Sequence, residues 1–187
     1  YSVECVQMDL SPVKCEILEA LLFYEKPVKA AQVAKDIGKE IPSVQMHLIG
    51  LTKMGFAESP LKGNYLISKN GKKAVGLNEI TKEEALSILA QTPRDKAFHF
   101  YSGIGKPLNL YAHNLLEFCD KIGKVSLDSI EFHLNRGDFE AWFKSMGDLE
   151  LAKKTALLKE RKINAEELGF RLHVIIENRC SDLSKIE

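Results

Sequence analysis

Four histidines, His99, His113, His133 and His173, lie in the second half of the chain with many carboxylates near them in sequence. Imidazole and carboxylate together can ligate a metal. His113 with Glu117, and His173 with Glu177, have the i, i+4 spacing that places two side chains on one helix face. Against this, His113 and Glu117 project opposite the main apolar stripe of their helix, and no Glu-x-x-His pair of the di-metal bundle type occurs. Solvated faces account for these residues, and neither a metal nor a cofactor is expected. The run Ser102-Gly103-Ile104-Gly105-Lys106-Pro107 suggests a phosphate cradle at a helix start, but it lacks the P-loop spacing and a preceding strand. It reads as a loop leading into a helix begun by Pro107. With no nucleophile elbow either, no catalytic residue is nominated and the chain is not read as an enzyme.

A different chemistry is written in the first half. Gln45 can bond an adenine edge, Ser43 can reach a base or a phosphate, and Met46 or Ile49 can pack on thymine methyls. Lys53, Lys62, Lys69, Lys72 and Lys73 are candidate phosphate contacts, with Asn64 a further candidate on a hairpin. Such a role requires residues 43–53 to form a helix with one buried side. At about 100° per residue, Val44, Leu48 and Leu51 do cluster, Met46, Ile49, Gly50 and Lys53 fall opposite, and Ser43 and Gln45 flank them. His47 sits close enough to the buried stripe to be read as a packed histidine.

Charge distribution supports the division. Lys plus Arg and Asp plus Glu both number 26, so the net charge selects no partner. Between Lys26 and Leu77, however, nine lysines face three acids, whereas residues 78–187 carry 16 basic and 18 acidic side chains. The positive field belongs to the front of the chain. There is no arginine before Arg94, so the commonest bidentate guanine contact is absent there. Cys5, Cys15, Cys119 and Cys180 are too dispersed for a Cys-x-x-Cys site and read as reduced thiols. No apolar run approaches the roughly 18 residues of a membrane span, and no leader-like start is seen, so a cytoplasmic chain without a membrane partner is expected.

The elements that would position these residues are legible in outline. A helix runs from Pro12 to about Tyr24, a short one from Lys29 to Ile37 ends at Gly38, and a third opens at Pro42 and closes at Gly55. Two extended stretches, Phe56–Ser59 and Asn64–Ile67, flank Pro60-Leu61-Lys62-Gly63, and Ser68 caps a short basic helix. Helix, short helix, helix and hairpin in that order are the winged helix-turn-helix plan. Residues Ser43 to Leu51 followed by Lys53-Met54-Gly55-Phe56-Ala57 resemble the recognition helix and strand entry of bacterial and archaeal winged-helix regulators. Asn64-Tyr65-Leu66-Ile67-Ser68 with Gly71-Lys72-Lys73-Ala74 resembles their wing return and closing helix. The resemblance implies transcription regulation through double-stranded DNA.

Beyond a join near residues 76–81, Thr81 and Glu84 are spaced as a capping box, and further helix starts are read at Pro107, Ser126 or Asp128, Asp138, Asp148 and Asn164. No strand signal is read, so the chain is expected to be mainly α: a winged helix over 1–77 and an all-α domain over 78–187. Ala97-Phe98-His99-Phe100-Tyr101, Ser129-Ile130-Glu131-Phe132-His133 and Arg136-Gly137-Asp138-Phe139-Glu140-Ala141-Trp142 resemble an uncharacterised helical domain of archaeal proteins, which implies no activity. The segment from Phe132 to Trp142 is read as a structural pivot, with Asp138 capping the next helix; the alternative is a small anion pocket of His99, Tyr101, His133 and Arg136. The last helix is apolar on two sides, with Phe170 and Val174 lying away from Leu168, Leu172 and Ile175, which suggests a homodimer. The expected function is therefore a DNA-binding regulator whose rear domain senses a small-molecule or protein effector or assembles subunits. A protein-interaction adaptor is the second reading, and an enzyme with its site in the rear domain the third.

Overall fold

The computed structural model describes residues 10–161 and 163–186. The chain divides into two compact units on either side of the Glu79–Ile80 bond, inside the join read at 76–81 and two residues beyond the expected domain end at 77. It is mainly helical, with two small antiparallel sheets.

In the first unit α1 (Pro12–Leu21), β1 (Val28–Lys29), α2 (Ala30–Ile37), α3 (Ile41–Lys53), β2 (Ala57–Leu61), β3 (Asn64–Ile67) and α4 (Lys69–Ala74) follow in order. The core is the shared apolar side of three helices: Ile17, Leu18 and Leu21 from α1, Val33 from α2, and Val44, Leu48 and Leu51 from α3 are all fully buried. Strand β3 lies between β1 and β2, with Tyr65 opposite Val28 and Ile67 opposite Ala57. Gly38 ends α2 at φ 63°, a left-handed conformation that glycine adopts without a Cβ clash. Helix α1 stops three residues short of Tyr24, where Phe23 and Tyr24 make only i→i−3 bonds; the Tyr24 hydroxyl then donates to the Asp36 carboxylate and ties this end to α2. Cys15 is disulfide-bonded, which overturns its reading as a reduced thiol, whereas Cys119 and Cys180 are free. Cys5 lies outside the described residues.

The second unit holds α5 (Lys82–Leu89), β4 (Phe98–Tyr101), β5 (Pro107–Ala112), α6 (Leu115–Ile122), α7 (Leu127–Arg136), α8 (Asp138–Ser145), α9 (Leu149–Lys159) and α10 (Ala165–Leu183). The capping box of Thr81 and Glu84 starts α5, and Asn114, Ser126, Asp148 and Asn164 each accept the N–H three residues on. The expected all-α domain is corrected here, because β4 and β5 form an antiparallel hairpin. Phe98 and Phe100 are buried while His99 and Tyr101 are half-buried, an alternation of period two that belongs to a strand. Pro107 opens β5 rather than a helix, and α6 begins eight residues later at Leu115. Its cyclic nitrogen serves equally at the first position of a strand, so proline alone does not separate the two. The described residues contain no helix long and apolar enough to cross a membrane.

Candidate functional site

Two places in the molecule collect the residues singled out above, one in each unit. In the first, packing of Val44, Leu48 and Leu51 turns the other side of α3 to solvent. Met46 is 66% and Ile49 42% exposed, Gln45 and Lys53 are exposed, and Ser43, His47 and Gly50 are half-buried. A Cβ at Gly50 would meet nothing within 4 Å. Glycine inside a helix costs about 1 kcal/mol relative to alanine, and here no packing within the unit requires it. The open position leaves room for another backbone to approach.

The β2–β3 hairpin puts Lys62 in solvent at its tip, next to Gly63 at φ 77°. The Asn64 amide donates to the Lys62 carbonyl at 3.4 Å, so it closes the turn. Lys69 and Lys73 both pair with Glu79, at 3.5 and 3.6 Å. All three side chains are about half exposed or more, so solvent screens the pairs and a phosphate could displace them at small cost. Lys72 is half-buried and engaged. Lys53, in the last turn of α3, and Lys62, at the hairpin tip, are both exposed.

In the second unit, His99, Tyr101, His133 and Arg136 line one cleft of about 320 Å³. Phe98, Phe132 and Asp138 complete its walls, and Gly103-Ile104-Gly105, the turn between β4 and β5, lies along its edge. Asp138 does not cap α8 as expected; Gly137, at φ 76°, is the cap residue and makes no side-chain bond. The Asp138 carboxylate instead accepts from His133 Nδ1 at 2.8 Å and from Arg136 Nε at 3.1 Å. The opposite nitrogen of His133, Nε2, accepts the Tyr101 N–H at 2.8 Å. A ring nitrogen that accepts carries no proton, so the imidazole is neutral and its proton sits on Nδ1, donated to Asp138.

These bonds follow from local geometry. The pairing of β4 with β5 slips after Phe100, where Tyr101 comes opposite Pro107, and Asn109 takes φ 52°. Tyr101 thereby turns its backbone toward α7, where Ser129 and His133 stand four residues apart on one helix face. Ser129 Oγ donates to the Tyr101 carbonyl at 2.8 Å while His133 takes the N–H. Two side chains of a helix thus replace the partner strand. Ser129 escaped the sequence reading although its spacing to His133 was the available signal. Gly103, Ile104 and Gly105 belong to the run set aside for want of a preceding strand, and β4 is that strand.

His133 is 3% exposed, and burial holds its pKa below the usual imidazole range despite the opposing pull of Asp138. Between the ordinary value, about 6.5, and the depressed folded value, the unfolded chain binds more protons than the folded one. Stability should therefore fall as pH drops through that window. The urea midpoint should be lower at pH 5.5 than at 7.5, and His133→Gln should remove part of that difference. An unchanged midpoint would contradict the buried neutral ring.

The His113–Glu117 pair has a different task. Glu117 accepts the His113 backbone N–H at 3.1 Å and pairs with Lys121 at 2.9 Å, and the Lys121 hydrogen bond is the main cause that lowers its pKa. His173 packs beside Gly123. Among the described residues no three potential metal ligands come together.

No protein-family model matches the chain, and neither a curated protein nor a solved structure does.

Proposed function

We propose that the first unit is a winged helix that binds duplex DNA through the outer face of α3 and the β2–β3 hairpin, and that the chain is a transcriptional regulator. One observation carries this reading: α3 buries Val44, Leu48 and Leu51 completely while it offers Gln45 on its flank and Met46, Ile49 and Lys53 on its opposite side to solvent. Hydrogen-bonding, apolar and cationic groups on one exposed helix are what a major groove can use. Lys62 at the hairpin tip and the loosely paired Lys69 and Lys73 add sequence-independent phosphate contacts. For a regulator of the bacterial and archaeal kind that residues 43–57 resemble, DNA binding goes with a cytoplasmic location. The second unit acts by binding rather than catalysis, as an effector-sensing or assembly module. Phe170 on α10 is 70% exposed and is the natural centre of a homodimer contact that would pair two α3 helices on adjacent half-sites.

A second reading has its own observation. Ile41, Met46, Ile49 and Met54 are each between 42 and 66% exposed on or next to α3, an apolar character that suits a protein partner. Selection from a random duplex pool at near-physiological salt separates the two. The DNA reading expects a reproducible enriched site, and a pool without enrichment after repeated rounds favours the adaptor.

A further inference from the structure

We propose that the cleft in the second unit binds a small organic anion, its oxyanion head on the terminal amino groups of Arg136 and its apolar body against Phe98, Phe132 and Ile104. The proposal does not depend on what the first unit binds. Arg136 is held from two directions: Nε donates to Asp138 at 3.1 Å, and the guanidinium lies over the Phe132 ring at 5.1 Å. Its terminal amino groups make no further bond among the described residues. Asp138 is in turn fixed by His133, and His133 by the Tyr101 N–H, both at 2.8 Å. A chain of hydrogen bonds thus runs from strand β4 to one surface guanidinium. A half-exposed arginine needs no such support for solubility, whereas a planar fork held in place loses less freedom when it takes a carboxylate or phosphate.

The apolar side of the cleft is equally specific. Phe98 is packed from behind by Phe118, Phe139 and Trp142, with ring centroids at 5.2, 5.2 and 5.5 Å, so it forms a rigid wall. Ile104, between two glycines at the edge, is 86% exposed, the largest exposure among the large apolar side chains described. A ligand in the cleft would cover it. The volume, about 320 Å³, suits a compact ligand.

Trp142 is the only tryptophan of the chain and touches Phe98, so its fluorescence reports on the cleft. The full chain is titrated with benzoate, phenyl phosphate, benzamide, benzylamine and inorganic phosphate, with calorimetry in parallel. Benzoate or phenyl phosphate should bind saturably, and whichever binds more tightly identifies the head group. Benzamide, which lacks the charge, and inorganic phosphate, which lacks the body, should each bind about tenfold more weakly or worse. Arg136→Met should weaken the anions about tenfold and leave benzamide unchanged, with the melting temperature kept. Ile104→Ser should weaken aromatic anions and benzamide alike. Benzamide or benzylamine binding as tightly as the anions, or no saturable binding of either aromatic anion by the folded protein, would overturn the proposal.

Discussion

Arg179→Met should cost the second unit about 3–5 kcal/mol, the penalty for leaving buried charge without its counter-charge. Arg179 is 6% exposed and donates from Nε to Asp148 at 2.8 Å and from Nη1 to Glu150 at 3.3 Å. Glu150 also pairs with Lys154 at 3.0 Å, and all four side chains are buried. The field of Asp182 also acts on the guanidinium. Without the guanidinium, Asp148 at 1% exposure and Glu150 at 8% lose a buried counter-charge in a medium that solvates the excess charge poorly. Asp148 has a second duty, because its other oxygen caps α9 by accepting the Leu151 N–H at 3.0 Å. The network therefore joins the start of α9 to α10. Urea denaturation followed by Trp142 fluorescence measures the loss. Adding Glu150→Gln should recover part of it by removing one of the two carboxylates that the guanidinium partnered. A shift under about 1 kcal/mol, the scale of an exposed pair, would mean the network is solvated.

Gly71→Ala should destabilise the first unit by about 3 kcal/mol, the upper part of the overpacking range. In an open helix the same change would gain about 1 kcal/mol, so the sign depends on what the new methyl meets. At Gly71 it would stand 2.1 Å from the Phe56 carbonyl oxygen and 2.8 Å from Ile67 Cγ1. A backbone oxygen cannot rotate aside as a side chain can. Its position is set by the Ser68 N–H, which bonds it at 3.1 Å, and by Ser68 Oγ, which bonds the Gly55 carbonyl at 2.7 Å while accepting the Gly71 N–H. Helix α4 is thereby drawn onto the start of the hairpin, and only a residue without a Cβ fits. Because Trp142 lies in the second unit, its unfolding transition should stay in place while far-ultraviolet circular dichroism shows an earlier loss of helix. A variant as stable as the parent would contradict this close approach.

How far these features were readable depends on the range of the interaction behind them. Local signals carried well: Gly38 and Gly55 do take positive φ at helix ends, and the Thr81–Glu84 capping box forms. The stripe of Val44, Leu48 and Leu51 is buried because a helix repeats its faces at that spacing, whatever its surroundings. The β4–β5 hairpin went unread for a local reason, since Pro107 fits a strand start as well as a helix start and four residues of alternation are a short signal. Its place after a glycine gives Asp138 the look of a cap. It bonds His133 and Arg136 because α7 ends in a tight turn that carries both side chains over it. The Tyr101–His133 and Asp148–Arg179 bonds join residues about thirty apart in the chain. Such pairings are set by tertiary packing, and no spacing rule in one sequence encodes them. His99, Tyr101, His133 and Arg136 could be grouped in advance by chemistry, but Phe98, Ile104 and Phe132 join them only through the hairpin and α7.

Salt dependence decides whether the outer face of α3 and the hairpin bind duplex DNA. Affinity for a selected duplex, measured from about 50 to 200 mM salt, should fall linearly on logarithmic axes with a slope near −0.9 for each phosphate neutralised. Lys53→Ala with Lys62→Ala should lower affinity and make that slope shallower by about 0.9 for each lysine removed. Binding that ignores salt, or a double variant with the affinity and slope of the parent, would contradict the docking face.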